Sequence, residues 1–167
     1  MSYRLYHTPI EAGDRADRRM RERQAVARLV RRAFGPDAVL THAPDGAPEI
    51  EGPEGEWFSI THCADECILA VTRDGRVGVD TETARPQLAR VAPRFLAPGE
   101  DVSLDLSYLL RMWTAKEAVY KAARTPGLGL DEIYVSGSRA TARGIGYRLD
   151  YPLLTRRRVT AVAVRMD

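Results

Sequence analysis

Apolar and polar positions change period several times along the chain, and each change predicts an element. "YRLYHT" near the start predicts a short strand. In "DRADRRMRERQAVARLVRRAFG", Met20, Val26, Leu29, Val30, Ala33 and Phe34 recur at helical spacing and predict a long helix. Asp14 is placed to cap it, and Gly35 followed by Pro36 to stop it. "APDGAPEIEGPEGE" is dense in Gly, Pro and acids and reads as loop. "EWFSITH" and "CILAVTRD" predict strands, and "GRVGVDTE" a third after a turn at Asp74–Gly75. "TARPQLARVAPRFLAPGED" is interrupted by Pro86, Pro93 and Pro98, so only short helical pieces fit there. "LSYLLRMWTAKEAVYKAAR" predicts a second long helix that ends near "TPGLGL". "EIYVSGS", "GIGYRLDY" and "RRVTAVAVRM" predict three closing strands.

A helix and three strands are thus followed by a helix and three strands. That order predicts an α+β protein of two similar lobes related by a pseudo-two-fold, each a long helix packed on a three-stranded antiparallel sheet. The N-terminal lobe would span residues 1–83 and the C-terminal lobe residues 84–167, as one compact unit. A cleft between two lobes is a usual ligand site.

Composition narrows the function classes. Charged residues at 29% and apolar residues at 44% suit a folded chain rather than a disordered one. A formal net charge of +2 does not commit the whole molecule to nucleic acid. No apolar run approaches a membrane span and the first residues carry no apolar leader, so a cytoplasmic location with no membrane partner is expected. Cys63 and Cys67 in "THCADEC" are expected to stay as free, part-buried thiols, because a reducing compartment disfavours a disulfide and a zinc site needs further ligands. Eight arginines fall between residues 15 and 32, but Asp14, Asp17 and Glu22 dilute them and no base-reading motif accompanies them. Nucleic acid is therefore not the expected partner.

Of the 25 basic residues, 23 are arginine; the only lysines are Lys116 and Lys121, both inside "WTAKEAVYK". A surface ion pair would be served equally well by arginine. Lysine offers a compact ammonium on a flexible stem, suited to a phosphate as a point charge. Trp113, Glu117 and Lys121 are spaced i, i+4, i+8 and share one helix face. In "VGVDTE", Asp80 and Glu82 are two apart at a strand end and point to one side. Paired carboxylates repel unless a cation relieves them, and hard oxygen donors suit magnesium. Carboxylates and lysines together describe a magnesium–phosphate site.

"VGVDTE" followed by "WTAKEAVYK" resembles the signature of the 4′-phosphopantetheinyl transferases, roughly G-[VI]-D-x-E and then [FW]-[ST]-x-K-E-[SA]-x-x-K. "RFLAPGE" between them and "FSITHCAD" upstream resemble further segments of that family. The resemblance covers about residues 57–135 and is closest to a shortened member of the two-lobed, surfactin type. It implies transfer of the 4′-phosphopantetheine arm from coenzyme A to a serine of an apo acyl- or peptidyl-carrier protein in fatty acid, polyketide or non-ribosomal peptide synthesis. Magnesium is the implied cofactor, adenosine 3′,5′-bisphosphate the other product, and a monomer the implied state.

The resemblance also implies roles. Asp80, Glu82 and Glu117 match the magnesium ligands, and Glu117 is also the candidate base for the carrier serine. Lys121 matches the lysine on the phosphate under attack, and Lys116 a neighbouring phosphate contact. His62 matches a histidine that reaches the 3′-phosphate of coenzyme A. Arg18 and Arg19 fall roughly where the family has an arginine at the nucleotide. Two segments depart from the pattern. "THC" stands where Ser-His-Ser is usual, and "GAP" puts Ala47 where a phosphate-contacting lysine is usual. These departures leave an alternative, a transferase-fold protein with little or no activity that binds coenzyme A or a partner.

Overall fold

The computed structural model describes residues 2–44, 46–50, 55–101 and 105–166. Strands β1 (Arg4–Pro9), β4 (Trp57–His62) and β5 (Glu66–Thr72) form an antiparallel sheet in the order β1-β5-β4. The first long helix, α1 (Arg18–Phe34), packs across it. Its buried Ala25 and Leu29 meet Cys67, Leu69 and Val71 of β5, as the helical spacing of apolar positions requires. A 3-10 turn at Arg15–Asp17 precedes α1, and Asp14 makes no side-chain capping bond, contrary to its expected role. Gly35, at φ +108°, ends the helix as expected.

The second sheet has five strands, in the order β6-β10-β9-β8-β7. They are β6 (Val77–Thr83), β7 (Ile133–Ser136), β8 (Arg139–Ala142), β9 (Ile145–Leu154) and β10 (Arg158–Arg165). Every pairing in it is antiparallel. The long helix α3 (Leu106–Ala123) lies on this sheet. Its Ala115, Ala118, Val119 and Ala122 pack on Ala140, Ala142, Tyr147, Ala161 and Ala163. Small side chains on both surfaces let helix and sheet approach closely. Asp105 caps the helix by accepting a hydrogen bond from the Ser107 amide at 3.1 Å.

Three expectations change. The sheets are unequal, so three strands in each half is not the observed arrangement. Strand β6, counted with residues 1–83, pairs with β10 of the second sheet, and β1 completes the first sheet instead. The pattern of alternation marks a strand but carries no information on which neighbour it pairs with. Strand β8 was also not foreseen, because "RATA" is short and weakly apolar. Within the stretch read as loop, Pro48–Ile50 (β3) pairs with Leu40–His42 (β2) as a small hairpin. Residues 45 and 51–54 of that stretch lie outside the described residues.

The segment between the sheets is short helices, as the prolines required: α2 (Gln87–Val91) and a 3-10 turn at Ala92–Arg94. Phe95 follows them, fully buried, with its ring 5.2 Å from Trp113 in an edge-on contact. The sheets themselves meet through Ile68 and Ala70 of β5 against Val77, Val79, Val162 and Val164. This contact sets the end of β4 beside β6, where the candidate site lies.

Candidate active site

The site starts with a glycine. A Cβ on Gly78 would collide with the Ala118 carbonyl oxygen and crowd the Ala122 amide. Strand β6 therefore touches the backbone of α3, and no other residue type fits that approach. Two residues further on, Asp80 is only 6% exposed and faces the helix. Lys121 donates to Asp80 Oδ1 at 2.7 Å and to the Val79 carbonyl at 3.0 Å. Thr61 on β4 also donates to Asp80 Oδ1, at 3.1 Å. Ser59 Oγ accepts from the Val79 amide at 3.0 Å. Alternation along β4 explains why Ser59 and Thr61 share this side.

Glu82 and Glu117 complete the acidic group. Both are half-buried, and burial is the main reason each holds its proton more tightly than an ordinary glutamate. Asp80 adds to the effect on both, while Lys121 and Arg85 oppose it. Arg85 sits 3.3 Å from Glu82 Oε1. Asp80 Oδ2 is buried with no hydrogen-bond partner among the described residues. Such an atom normally has a partner, so the site is built to receive a donor or a cation.

The carboxylates suit magnesium chemically. They are hard oxygen donors, Asp80 raises the proton affinity of Glu82 and Glu117, and one buried oxygen is unused. Among the described residues no three His, Cys, Asp or Glu side chains are gathered as a ready-made metal cage. The three expected ligands, Asp80, Glu82 and Glu117, are therefore not drawn together as a closed cage.

His62, Arg18 and Arg19 form a second group. His62 points to the opposite side of β4 from Thr61, with Nδ1 3.8 Å from Glu22 Oε1 on α1. Arg18 Nε donates to the same oxygen at 2.7 Å. Both, with Arg19 at longer range, hold the Glu22 carboxyl below its usual pKa, although partial burial opposes them. The structure thus brings His62 and Arg18 together around one acid, with Arg19 acting on it only at longer range.

Lys116 belongs to neither group, and its expected phosphate contact is corrected. It is fully buried on the far side of α3. Its ammonium pairs with Glu100 Oε2 at 2.7 Å and donates to the Leu130 carbonyl at 3.2 Å and to the Ile133 carbonyl. Glu100 in turn accepts from the amides of Ala97 at 2.8 Å and Val135 at 3.0 Å. All three ammonium protons are used inside the core, so none reaches a ligand. Burial lowers the Lys116 pKa and the Glu100 contact partly restores it.

The thiols are free, and burial raises the Cys67 pKa to about 12. Gly78 and Thr61 are the site residues that sequence reasoning missed. A lone glycine inside a strand pattern was the signal for Gly78. For Thr61, the retained hydroxyl of "THC" was the signal.

Comparison with known proteins shows the family of the chain. The family model of the 4′-phosphopantetheinyl transferase superfamily matches residues 76–161, which hold Asp80, Glu82, Glu117 and Lys121. The chain belongs to the 4′-phosphopantetheinyl transferase superfamily. Its relatives include the 4′-phosphopantetheinyl transferase AcpT of Escherichia coli (strain K12), 31% identical over 103 residues, covering 50% of this chain and 53% of that protein. The AcpT of Salmonella typhi is 28% identical over 102 residues, covering 56% of this chain and 53% of that protein. The AcpT of Escherichia coli O157:H7 is 29% identical over 111 residues, covering 60% and 57% respectively. The chain spans about half the length of the curated relatives it matches.

Proposed function

We propose that this chain transfers the 4′-phosphopantetheine arm of coenzyme A to a serine of an apo acyl- or peptidyl-carrier protein. The observation that supports this most is Lys121 seated against Asp80, with Glu82 and Glu117 in electrostatic reach, inside the family-matched segment. A point-charge lysine among three carboxylates suits a pyrophosphate held with a divalent cation.

Asp80, Glu82 and Glu117 hold magnesium in this reading. When bound, that ion neutralises charge on the pyrophosphate, as metals do in phosphoryl transfer. The chain's own groups do the rest. Glu117 accepts the proton of the carrier serine as its oxygen attacks phosphorus. The new P–O bond carries the pantetheine arm, and the broken one releases adenosine 3′,5′-bisphosphate. Lys121 stabilises the negative charge that builds on the attacked phosphate. Thr61 fixes the Asp80 carboxylate. His62, Arg18 and Arg19 take the 3′-phosphate end of coenzyme A.

The two sheets, each with its long helix, act as lobes in an approximate two-fold arrangement, with the site where β4 meets β6. A monomer suffices, because one chain supplies every named group. Among the described residues no helix is long and apolar enough to cross a membrane. Mass spectrometry of apo carrier protein incubated with coenzyme A and magnesium tests the reading: the carrier gains one phosphopantetheine arm, and a chelator prevents it.

A further inference from the structure

Trp113 carries a polar atom that the fold leaves unused. Its indole nitrogen is buried and has no hydrogen-bond partner among the described residues. A buried N–H normally has a partner, so this one calls for an acceptor. The ring itself is held firmly. Phe95 meets it edge-on at 5.2 Å, and both pack with Leu88, Leu109 and Val159 in one apolar cluster.

Two relationships put Glu82 beside this nitrogen. Val159 of that cluster lies directly across from Glu82 in the β6–β10 pairing, and directly paired residues point to one face of a sheet. Glu117 stands one turn beyond Trp113 on α3 and is in electrostatic reach of Glu82. Burial raises the Glu82 pKa, and the indole is among the groups that oppose the rise, as a nearby donor does. The other donor to Glu82 is Arg85 at 3.3 Å, a half-exposed side chain whose charge water screens. Trp113 is therefore the buried donor on this carboxylate's side of the site.

We infer that Trp113 is a positioning residue of the transfer site: its indole N–H takes one oxygen of Glu82 and turns the other toward Asp80 and Glu117. This rests on the transferase reading, in which those three carboxylates hold magnesium. The family pattern admits Phe or Trp at this position, so the N–H is a device of this chain that tightens the site rather than one that makes it. Its effect falls on metal affinity, not on the grip of the rest of coenzyme A.

Calorimetry of Mg²⁺ into protein saturated with coenzyme A tests this. W113F keeps a ring against Phe95 and removes the donor. It should bind Mg²⁺ about tenfold more weakly than wild type, while coenzyme A measured in chelator binds both proteins equally. Emission gives a second reading that leaves residue 113 unaltered. The chain has only Trp57 and Trp113, so W57F protein reports Trp113 alone. Mg²⁺ should change its emission, and adding E82A should remove that change. W113F with wild-type Mg²⁺ affinity, or Trp113 emission that ignores Mg²⁺, would overturn the positioning role and leave the transferase reading standing. Wild-type protein that binds coenzyme A but no Mg²⁺ would overturn the magnesium site as well.

Discussion

The ammonium of Lys121 and the carboxylate of Asp80 lie 2.7 Å apart, joining the end of α3 to β6. The same ammonium bonds the backbone of β6 at Val79, so its position is fixed from two sides. K121R keeps the charge but replaces a compact head with a planar fork that does not fit both contacts. Transferase turnover should fall on the order of ten- to hundredfold, the worth of a hydrogen bond to a charged group. Thermal unfolding should change little, because Lys121 is part-exposed. Turnover equal to wild type would remove the phosphate role of this lysine.

Lys116 should behave in the opposite way. Removing it leaves Glu100, whose side chain is 8% exposed, as an unpaired buried charge. K116A should cost about 3–5 kcal/mol of stability in denaturant titrations. E100Q together with K116M removes both charges and should recover part of that loss. K116A protein that is fully stable yet binds coenzyme A weakly would restore the phosphate contact expected of Lys116.

The two lysines show how far the sequence could be read. Rarity among arginines singled out both, and both lie on α3. Spacing then placed Glu117 and Lys121 on one face, where they are found. It did not separate Lys116, because whether a helix side is core or cleft depends on what packs there. The partner that buries Lys116 is Glu100, the last residue of "RFLAPGE", a segment whose likeness to the family gave no contact for it. Likewise, the alternation in "VGVDTE" identified a strand and its carboxylates. Its pairing with β10 was not legible, since strand order depends on contacts far along the chain.

Gly78 should tolerate no side chain. In G78A the new methyl group meets the backbone of α3, which cannot rotate away as a side chain can. Overpacking of this kind costs about 1–3 kcal/mol or more. The melting temperature of G78A should drop, and activity with it, because β6 carries Asp80 and Glu82. An unchanged melting temperature would mean that the strand and helix are not in this close contact.

Thr61 offers a narrower test. T61S keeps the hydroxyl that bonds Asp80 and should retain near wild-type turnover. T61V keeps the shape but removes the donor, and should lower turnover several-fold with little loss of stability. If both variants behave alike, the hydroxyl does not orient Asp80.

The thiols give a prediction with a defined sign. With its pKa at about 12, Cys67 at pH 8 is thiolate in only about one molecule in ten thousand. Burial raises the Cys63 pKa as well, despite an opposing backbone hydrogen bond at Asp65. A thiol reagent at pH 8 should therefore modify neither cysteine rapidly in the folded protein, and both at once in denaturant. Rapid labelling of the native protein would show that β4 and β5 open readily.

The most direct test of the account is the intact mass of apo carrier proteins after incubation with this chain, coenzyme A and magnesium. Wild-type protein should add one phosphopantetheine arm to a carrier, a chelator should abolish the gain, and D80A should be folded and inactive. A D80A protein as active as wild type, or modification that persists in chelator, would contradict the carboxylate site. No gain on any carrier, with coenzyme A still bound, would point to a binding protein that keeps the transferase fold.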